Sequence, residues 1–267
     1  MTLLAAVQMT SGADKAQNLA TATALIRKAA RRGAEFIGLP ENFAWMGPEP
    51  ERDQNAESLE GPTLSTLQAL AKELSVTLLA GSMLEGGAPG GRLFNTSVLF
   101  GPDGARLGTY RKMHLFDVEV GDGQTYRESA AVAPGTEVVV ASAPFGKVGL
   151  SVCYDLRFPE LYRRHSEAGA VLLTVPAAFT LATGKDHWEV LLRARAIENQ
   201  AYVIAPAQQG RHPKDRMTWG HAMIVDPWGL VTARASEGEG LAMAEFDEAL
   251  LTKLRRNLPA LQHRRLV

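Results

Sequence analysis

The stretch Lys147–Tyr162, KVGLSVCYDLRFPELY, contains Cys153, the only cysteine among 267 residues. Its first part, Val148–Val152, is short and apolar, which predicts a buried strand. The following Phe-Pro-Glu at 158–160 predicts the start of a helix, because proline and acidic residues are favoured in a first helical turn. We therefore expect Cys153 at a strand end before a helix, where backbone N–H groups can stabilise a thiolate or an oxyanion. Position alone fits a nucleophile and a small core residue equally well.

The composition indicates a globular protein of one large core, with 46% apolar and 21% charged residues. We expect a single domain over residues 1–267, with 258–267 as a C-terminal tail. The net charge of -1 predicts no general attraction to nucleic acid or acidic membranes. A lone cysteine predicts no internal disulfide and favours the cytoplasm. We expect no signal peptide and no membrane span, since no apolar run approaches roughly 18 residues. No zinc spacing or phosphate-binding loop occurs, so neither metal nor cofactor is expected.

Two halves of the chain show the same order of elements, β-α-β-α-β-β-β. Hydrophobic patterning predicts strands and helices at Leu3–Gln8, Ala13–Arg32, Phe36–Leu39, Thr63–Ser75, Val76–Ala80, Asn95–Phe100 and Arg106–Tyr110. The order recurs at Val148–Val152, Pro159–Ala168, Val171–Val175, Asp186–Gln200, Tyr202–Ala207, Ala222–Val225 and Leu230–Ala233. The pairs Gly33/Gly169, Pro40/Pro176 and Phe43/Phe179 are each 136 residues apart.

Two such halves can pack sheet on sheet with helices outside, which predicts a four-layer αββα sandwich of the α/β class. A single doubly wound sheet is the competing architecture, but the predicted hairpins would add antiparallel strands to it. A further strand is expected at Leu241–Phe246 and a helix at Asp247–Asn257. The glycine-rich segment Glu85–Gly91 is expected to be a loop.

The repeat also points to chemistry. Glu41 follows the strand that ends at Pro40, whereas its counterpart in the second half is the apolar Ala177. Lys112 lies in the cationic segment YRKMH at the end of a predicted hairpin strand. Because strand ends in α/β folds are where ligands bind, Glu41, Lys112 and Cys153 can meet at one mouth. A solvated loop position for Glu41 and a surface position for Lys112 are the alternatives.

The segments LPENF, YRKMHLFD and GLSVCYDLRFPE, in this order and at these spacings, resemble the signature segments of the nitrilase, or carbon–nitrogen hydrolase, superfamily. The resemblance extends from AAVQMTS through DPWG. It implies the αββα sandwich and a homodimer or higher even oligomer. It also implies an amidase with Glu41 as general base, Lys112 as electrostatic partner, Cys153 as nucleophile and Glu128 as a further active-site carboxylate. The backbone N–H of Tyr154 would help to stabilise the oxyanion.

The second half resembles one branch of that family more closely. The segment HWEVLLRARAIENQAYVIAPAQQGRH and the later LRRNLPALQHRR are similar to the branch that acts on deaminated glutathione, cleaving it to 2-oxoglutarate and Cys-Gly. A pocket for this small acidic amide needs separated cations, for which Arg157, Arg211 and His212 are candidates. Each of them fits a surface or structural role equally well. Phe179 and Trp45 follow predicted strand ends and are candidates to line the mouth.

Three alternatives remain open at this point. An ω-amidase acting on 2-oxoglutaramate or 2-oxosuccinamate shares most of these segments. A thiol redox sensor could use Cys153, although no resolving cysteine is present. A binding module without catalysis could keep the fold, but the complete Glu-Lys-Cys set argues against it.

Overall fold

A computed structural model describes residues 1–119 and 125–266. In these residues, several helices begin at a capping side chain or at a proline. Asp14 accepts a hydrogen bond from the N–H of Gln17 at the start of the first helix, and Pro62 and Pro159 occupy first turns. The helices in these ranges are α1 (Lys15–Arg31), α2 (Arg52–Asn55), α3 (Pro62–Leu74), α4 (Pro159–Glu167), α5 (Leu181–Asn199) and α6 (Glu248–Asn257).

The strands fall into two large sheets and one short ribbon. Those of the first part of the chain are β1 (Thr2–Met9), β2 (Phe36–Gly38), β3 (Thr77–Glu85), β4 (Phe94–Phe100), β5 (Arg106–Arg111), β6 (Asp117–Glu119) and β7 (Thr125–Arg127). Those of the second part are β8 (Val140–Ala143), β9 (Gly146–Leu150), β10 (Leu172–Thr174), β11 (Tyr202–Ala205), β12 (Ala207–Arg211), β13 (Met217–Trp219), β14 (Met223–Val225), β15 (Val231–Arg234) and β16 (Gly240–Phe246).

The two sheets repeat one topology. The first has the order β13-β12-β1-β2-β3-β4-β5, with β16 antiparallel to β1, and the second has the order β15-β14-β11-β10-β9-β8. In each sheet three parallel strands (β1-β2-β3 and β9-β10-β11) continue into an antiparallel pair (β4-β5 and β14-β15). The two similar halves predicted from the sequence are therefore confirmed.

Successive side chains of each strand point to opposite faces of its sheet, and this alternation produces the four layers. Leu4 and Ala6 of β1 face the second sheet and share one core cluster with Val148 and Leu172. Ala5 and Val7 point the other way, into a cluster with the buried faces of α1 and α3. Residues of α4 and α5, among them Tyr162 and Trp188, cover the second sheet. The αββα sandwich is thus the observed architecture.

The predicted strand Tyr202–Ala207 is wrong in one respect, because it is two strands in different sheets. β11 ends at Ala205 in the second sheet, and β12 pairs with β1 of the first sheet. Pro206 lies between them and has no N–H for a ladder, so the chain changes sheets at this residue. The hairpin β12–β13 is an addition to the repeat that the sequence pattern did not predict.

Other boundaries also differ from the sequence predictions. Glu85 is the buried last residue of β3 rather than part of a loop, because its carboxylate pairs with Arg111 and accepts from Thr96. Cys153 does not end a strand: β9 stops at Leu150, and Cys153 opens a 3-10 helix, Cys153–Arg157. α5 begins at Leu181, before the predicted Asp186.

Beyond α6, the described tail residues contact the body of the protein. The Arg264 guanidinium pairs with Glu167 of α4 at 2.6 Å, and the Leu258 carbonyl accepts from the Gln200 side chain at 2.6 Å. Within residues 1–119 and 125–266, no helix is long and apolar enough to cross a membrane.

A buried histidine lies between α4 and the second sheet. His165 is 0% exposed, and neither of its ring nitrogens has a hydrogen-bond partner within residues 1–119 and 125–266. The ring lies on the backbone of Gly149, where a Cβ would come within 2.7 Å of it. Burial lowers the pKa of His165 to about 4, although the negative charge of Asp155 opposes the shift.

We predict that this histidine makes the fold sensitive to acid. Because burial lowers the pKa of His165 in the folded state, the neutral ring contributes to the free energy of unfolding above the unfolded-state pKa of about 6.5. This contribution, up to about 3 kcal/mol, is lost as the pH falls from there towards 4. His165→Met should flatten the fall in the free energy of unfolding between these pH values, measured by urea denaturation. The exposed His263→Asn is the control. An unchanged pH dependence in His165→Met would contradict this assignment.

Candidate active site

Glu41 lies just past β2, where the backbone is held against β3. A Cβ at Gly81 would overlap the carbonyl oxygen of Leu39, so only glycine allows this approach. The Glu41 side chain is buried, and its Oε2 accepts from the N–H of Ala178 at 2.8 Å. Ala178 follows Ala177, the counterpart of Glu41 in the repeat. The second half therefore fixes the orientation of the carboxylate contributed by the first.

Lys112 follows β5 directly and is buried between two carboxylates. Its Nζ donates to Glu41 Oε1 at 3.0 Å and to Glu128 Oε2 at 2.8 Å. Glu128 is held in turn by the N–H of Phe116, at 2.7 Å. The structure places Lys112 beside Glu41, which the strand-end positions predicted it to meet, and beside Glu128, which the family resemblance implied as a further active-site carboxylate. Lys112 is therefore buried, and the alternative of a surface position is wrong.

Asn95 of β4 joins the same cluster. Its Nδ2 donates to Glu41 Oε1 at 2.9 Å and to Glu128 Oε1 at 3.2 Å. The two carboxylates therefore share two donors, Asn95 and Lys112, which offset their mutual repulsion. Asn95 could not be predicted from the sequence, because an asparagine in a predicted strand carries no distinguishing pattern.

Cys153 faces Glu41 from the opposite half of the chain. Its side chain is largely buried in the same pocket as Glu41, whose carboxylate is close enough to act on the thiol electrostatically. The residue has φ = 48°, in the left-handed region that non-glycine residues rarely adopt, and such strain is typical of functional positions. Its own N–H donates to the Pro176 carbonyl at 2.9 Å. That N–H is therefore occupied, which leaves the next one, of Tyr154, as the expected oxyanion donor.

Asp155 joins the Lys112 segment to the Cys153 segment. Its fully buried carboxylate accepts from the Tyr110 hydroxyl at 2.7 Å and from the Val152 N–H at 2.8 Å. It also contacts the His114 N–H at 3.0 Å and the His114 Nδ1 at 2.7 Å. One carboxylate thus fixes the ends of β5 and β9 relative to each other.

The electrostatics set the protonation states. Burial raises the pKa of the Cys153 thiol well above its usual value, and the charge of Glu41 raises it further. Burial opposes ionisation of Glu41, but the Lys112 ammonium and the hydrogen bond from Cys153 hold its pKa below the ordinary value. Burial also opposes charge on Lys112, yet Glu128 and Glu41 raise its pKa. At neutral pH the site therefore holds a thiol, a carboxylate and an ammonium.

These side chains lie on the floor of one pocket. Its lining includes Glu41, Asn95, Lys112, Glu128, Cys153 and Tyr154, together with aromatic residues Trp45, Phe116, Tyr126 and Phe179. The arginines Arg52, Arg127, Arg157 and Arg216 also line it. Among residues 1–119 and 125–266, no group of three or more His, Cys, Asp and Glu side chains could hold a metal ion.

The substrate-binding candidates differ in where they lie. Arg157 lines the pocket, with its guanidinium 5.2 Å from the ring centroid of Phe179. His212 also lines it, but burial lowers its pKa to about 4, so it is no cation at neutral pH. Its Nδ1 donates to Ser11 O at 2.8 Å. Arg211 is outside the described pocket lining, exposed and paired with Asp215 at 3.4 Å.

The family profile described as carbon-nitrogen hydrolase matches residues 3–256. The chain belongs to this family. It is accordingly a hydrolase that acts on carbon–nitrogen bonds of amides.

The chain is similar to several characterised amidases. It is 52% identical to a deaminated glutathione amidase of Synechocystis over 98% of this chain and 97% of that protein. It is 47% identical to the human deaminated glutathione amidase, over 98% and 82% respectively. Identity to the human omega-amidase NIT2 is 39%, over 98% and 94%.

Solved structures share the fold. The C. elegans NitFhit protein superposes with a TM-score of 0.93 at 39% identity, over 99% of this chain and 65% of that one. Yeast Nit3 gives 0.89 at 30% identity, over 99% and 97%. An amidase of Nesterenkonia gives 0.80 at 25% identity, over 97% and 98%; its structure records addition of acrylamide to an active-site cysteine.

We predict that Glu41→Gln lowers the pKa of the Cys153 thiol while it impairs turnover. The negative charge of Glu41 raises that pKa and Lys112 lowers it, so neutralising Glu41 should lower the pKa of the thiol. Because Cys153 is the only cysteine, thiolate absorbance at about 240 nm against pH reports this group alone.

The control for this titration is Glu60→Gln, which removes an exposed carboxylate paired with Arg106 outside the pocket. It should leave the thiol pKa unchanged. An unchanged or higher pKa in Glu41→Gln would show that Glu41 does not control the ionisation of Cys153.

Proposed function

We propose that the protein is an amidase that hydrolyses deaminated glutathione to 2-oxoglutarate and Cys-Gly. The observation that carries the proposal is the pocket that holds Cys153 together with the ion-paired Glu41 and Lys112, in a chain about half identical to amidases of that name. Such a reaction would return a deaminated peptide to usable metabolites, which is a repair role. We place it in the cytoplasm, because its lone cysteine suits a reducing compartment.

In the acylation step, the sulfur of Cys153 attacks the amide carbon while Glu41 accepts the thiol proton. The oxygen of the tetrahedral intermediate is stabilised by the Lys112 ammonium and the Tyr154 N–H. Glu41 then gives its proton to the leaving amine as the carbon–nitrogen bond breaks. Glu128 and Asn95 hold Lys112 and Glu41 in place during this exchange.

In the deacylation step, water attacks the thioester and Glu41 accepts one of its protons. The carbon–sulfur bond breaks, the carboxylic product leaves, and the thiol of Cys153 regains its proton. Protons and electrons balance over the cycle without an oxidant or reductant. The Cys153 thiol is neutral at rest, so attack depends on simultaneous removal of its proton by Glu41.

The second candidate is an ω-amidase that acts on 2-oxoglutaramate or 2-oxosuccinamate, supported by the 39% identity to human NIT2. 2-Oxoglutaramate and deaminated glutathione carry the same acyl group and differ in the amine that leaves. A redox sensor fits less well, because sensor thiols are exposed and have low pKa values, whereas Cys153 is buried with a raised pKa.

We predict that the wild type releases 2-oxoglutarate and Cys-Gly from deaminated glutathione, with kcat/KM at least tenfold higher than for 2-oxoglutaramate. Cys153→Ala should reduce the rate to background and form no acyl-enzyme in intact-mass spectra. The reverse preference would favour the ω-amidase. Absence of turnover with both amides would refute the proposed function.

We further propose that the protein forms a homodimer or a higher even oligomer. Ile197 of α5, Trp228 and Leu230 are at least half exposed, at 50%, 64% and 61%. Ile197 lies against Gly229 of the β14–β15 turn, which places it beside the segment that carries Trp228 and Leu230. Exposed contiguous apolar surface of this kind supports an interface.

Ile197→Glu should shift the mass measured by light scattering towards the 28.8 kDa of one chain, because a buried unpaired carboxylate opposes association. Val138→Glu, an exposed apolar site in the segment before β8, is the control. An oligomer that survives Ile197→Glu would place the interface elsewhere.

A further inference from the structure

Some arginines of the pocket form an ion pair with a carboxylate of the protein, and others do not. Arg52 contacts Glu49 and Arg127 contacts Glu119, each at 3.9 Å. Among the described residues, no carboxylate pairs with Arg157 or Arg216. Arg157 nevertheless has a neighbour, since its Nη1 contacts His187 Nδ1 at 3.2 Å.

Arg216 is the less satisfied of these two. Its Nε is buried and has no hydrogen-bond partner in the described structure. The one hydrogen bond of its side chain to the described residues is long, 3.4 Å from Nη2 to the Ala178 carbonyl, and its guanidinium lies 5.7 Å from the centroid of the Tyr126 ring. A half-buried guanidinium with an unused donor costs free energy unless a ligand completes its hydrogen bonds.

The backbone just before Arg216 has a strained conformation. Lys214 and Asp215 both have positive φ, 62° and 58°, at the tip between β12 and β13. The His212 N–H donates to the Arg216 carbonyl at 2.8 Å and closes this turn. Such conformations persist where the surroundings enforce them and are concentrated at functional sites. Arg211, five positions earlier, is left on the outside of the same hairpin.

Arg216 is also close to the reacting groups. The Ala178 peptide donates its N–H to Glu41 and accepts from Arg216 through its carbonyl. The charge of Arg216 contributes to lowering the pKa of Glu41. Trp45 lines the same pocket, and its buried Nε1 also lacks a partner among the residues that the structure describes. The lining of the Cys153 pocket therefore includes side chains whose donors are not fully matched by acceptors, which suits an anionic ligand.

We propose that Arg216 binds a carboxylate group of the substrate beside Cys153. This rests on the proposed function for the identity of the substrate, but the carboxylate site itself does not require turnover. A planar guanidinium matches a carboxylate with two parallel hydrogen bonds, and Arg216 lines the pocket that also contains Cys153. Arg216 thus supplies a cation in addition to Arg157, whereas Arg211 and His212, the other two candidates from the sequence, do not.

The test uses the single cysteine as the reporter. Cys153 is alkylated with iodoacetamide at fixed pH, and glutarate, a five-carbon dicarboxylate, is added as a protecting ligand; its neutral diamide, glutaramide, is the matched probe. In Arg216→Gln, the glutarate concentration for half-protection should rise about 10- to 100-fold, the range expected for a lost charge-assisted hydrogen bond. Protection by glutaramide should not change.

Two further variants keep the result decisive. Arg216→Lys retains the charge but not the fork, and should give a smaller rise than Arg216→Gln. Arg106→Gln, at an exposed salt bridge outside the pocket, should behave as wild type. The proposal is overturned if glutarate does not protect the wild type, if it protects Arg216→Gln equally well, or if glutaramide protection falls in parallel.

Turnover then identifies which carboxylate is bound. If kcat/KM of Arg216→Gln falls for both deaminated glutathione and 2-oxoglutaramate, Arg216 holds the carboxylate of the shared acyl group. If it falls for deaminated glutathione alone, Arg216 holds that of the leaving peptide. If the wild type hydrolyses neither amide while Arg216 still governs glutarate protection, the proposed function fails and the carboxylate site stands.

Discussion

The structure depends on one buried ion cluster, in which the Lys112 ammonium lies between Glu41 and Glu128. Removing one partner of a buried pair leaves an uncompensated charge, at a cost of about 3–5 kcal/mol. The cluster is held from several elements at once: Asn95 from β4, the Ala178 N–H after β10, and the Phe116 N–H before β6. The sandwich therefore acts as a rigid frame that keeps a desolvated carboxylate ionised beside a thiol.

The charge balance of the pocket follows from this cluster. Two carboxylates and one ammonium leave one negative charge on its floor, and Arg157 and Arg216 add two positive charges nearby. The remaining described arginines of the lining are matched by acids. The pocket thus attracts anions overall while the proton acceptor stays charged. This is the combination that an amidase for acidic substrates requires.

The sequence was most informative where a chemically reactive residue type lies next to a recognisable end of a strand or start of a helix. Glu41 follows a strand closed by Pro40, Lys112 ends a hairpin strand, and Cys153 precedes a proline-initiated helix. The structure brings the three together as predicted. Asn95 and Arg216 could not be found this way, because an asparagine within a strand and an arginine in a turn have no local signature. The positive φ values at Lys214 and Asp215, which turn Arg216 inward while Arg211 stays outside, are likewise not encoded in residue type.

The αββα arrangement was predictable from the repeat and the alternation along each strand, but the change of sheet at Pro206 was not. That change depends on a long-range pairing, in which Gln8 and Met9 of β1 lie beside Ala207 and Gln208 of β12. Local patterning reports which residues are apolar, and a strand within either sheet gives the same pattern.

The passage of β12 into the first sheet also makes the two halves of the chain mutually dependent. Gln208 of β12 donates hydrogen bonds to the Ser11 side chain and to the Glu41 carbonyl. A strand of the second half therefore extends the first sheet beyond β1. A fragment with the first half alone would expose the backbone of β1 along the stretch that β12 and β16 now cover. Neither half of the repeat therefore completes the first sheet without strands from the other.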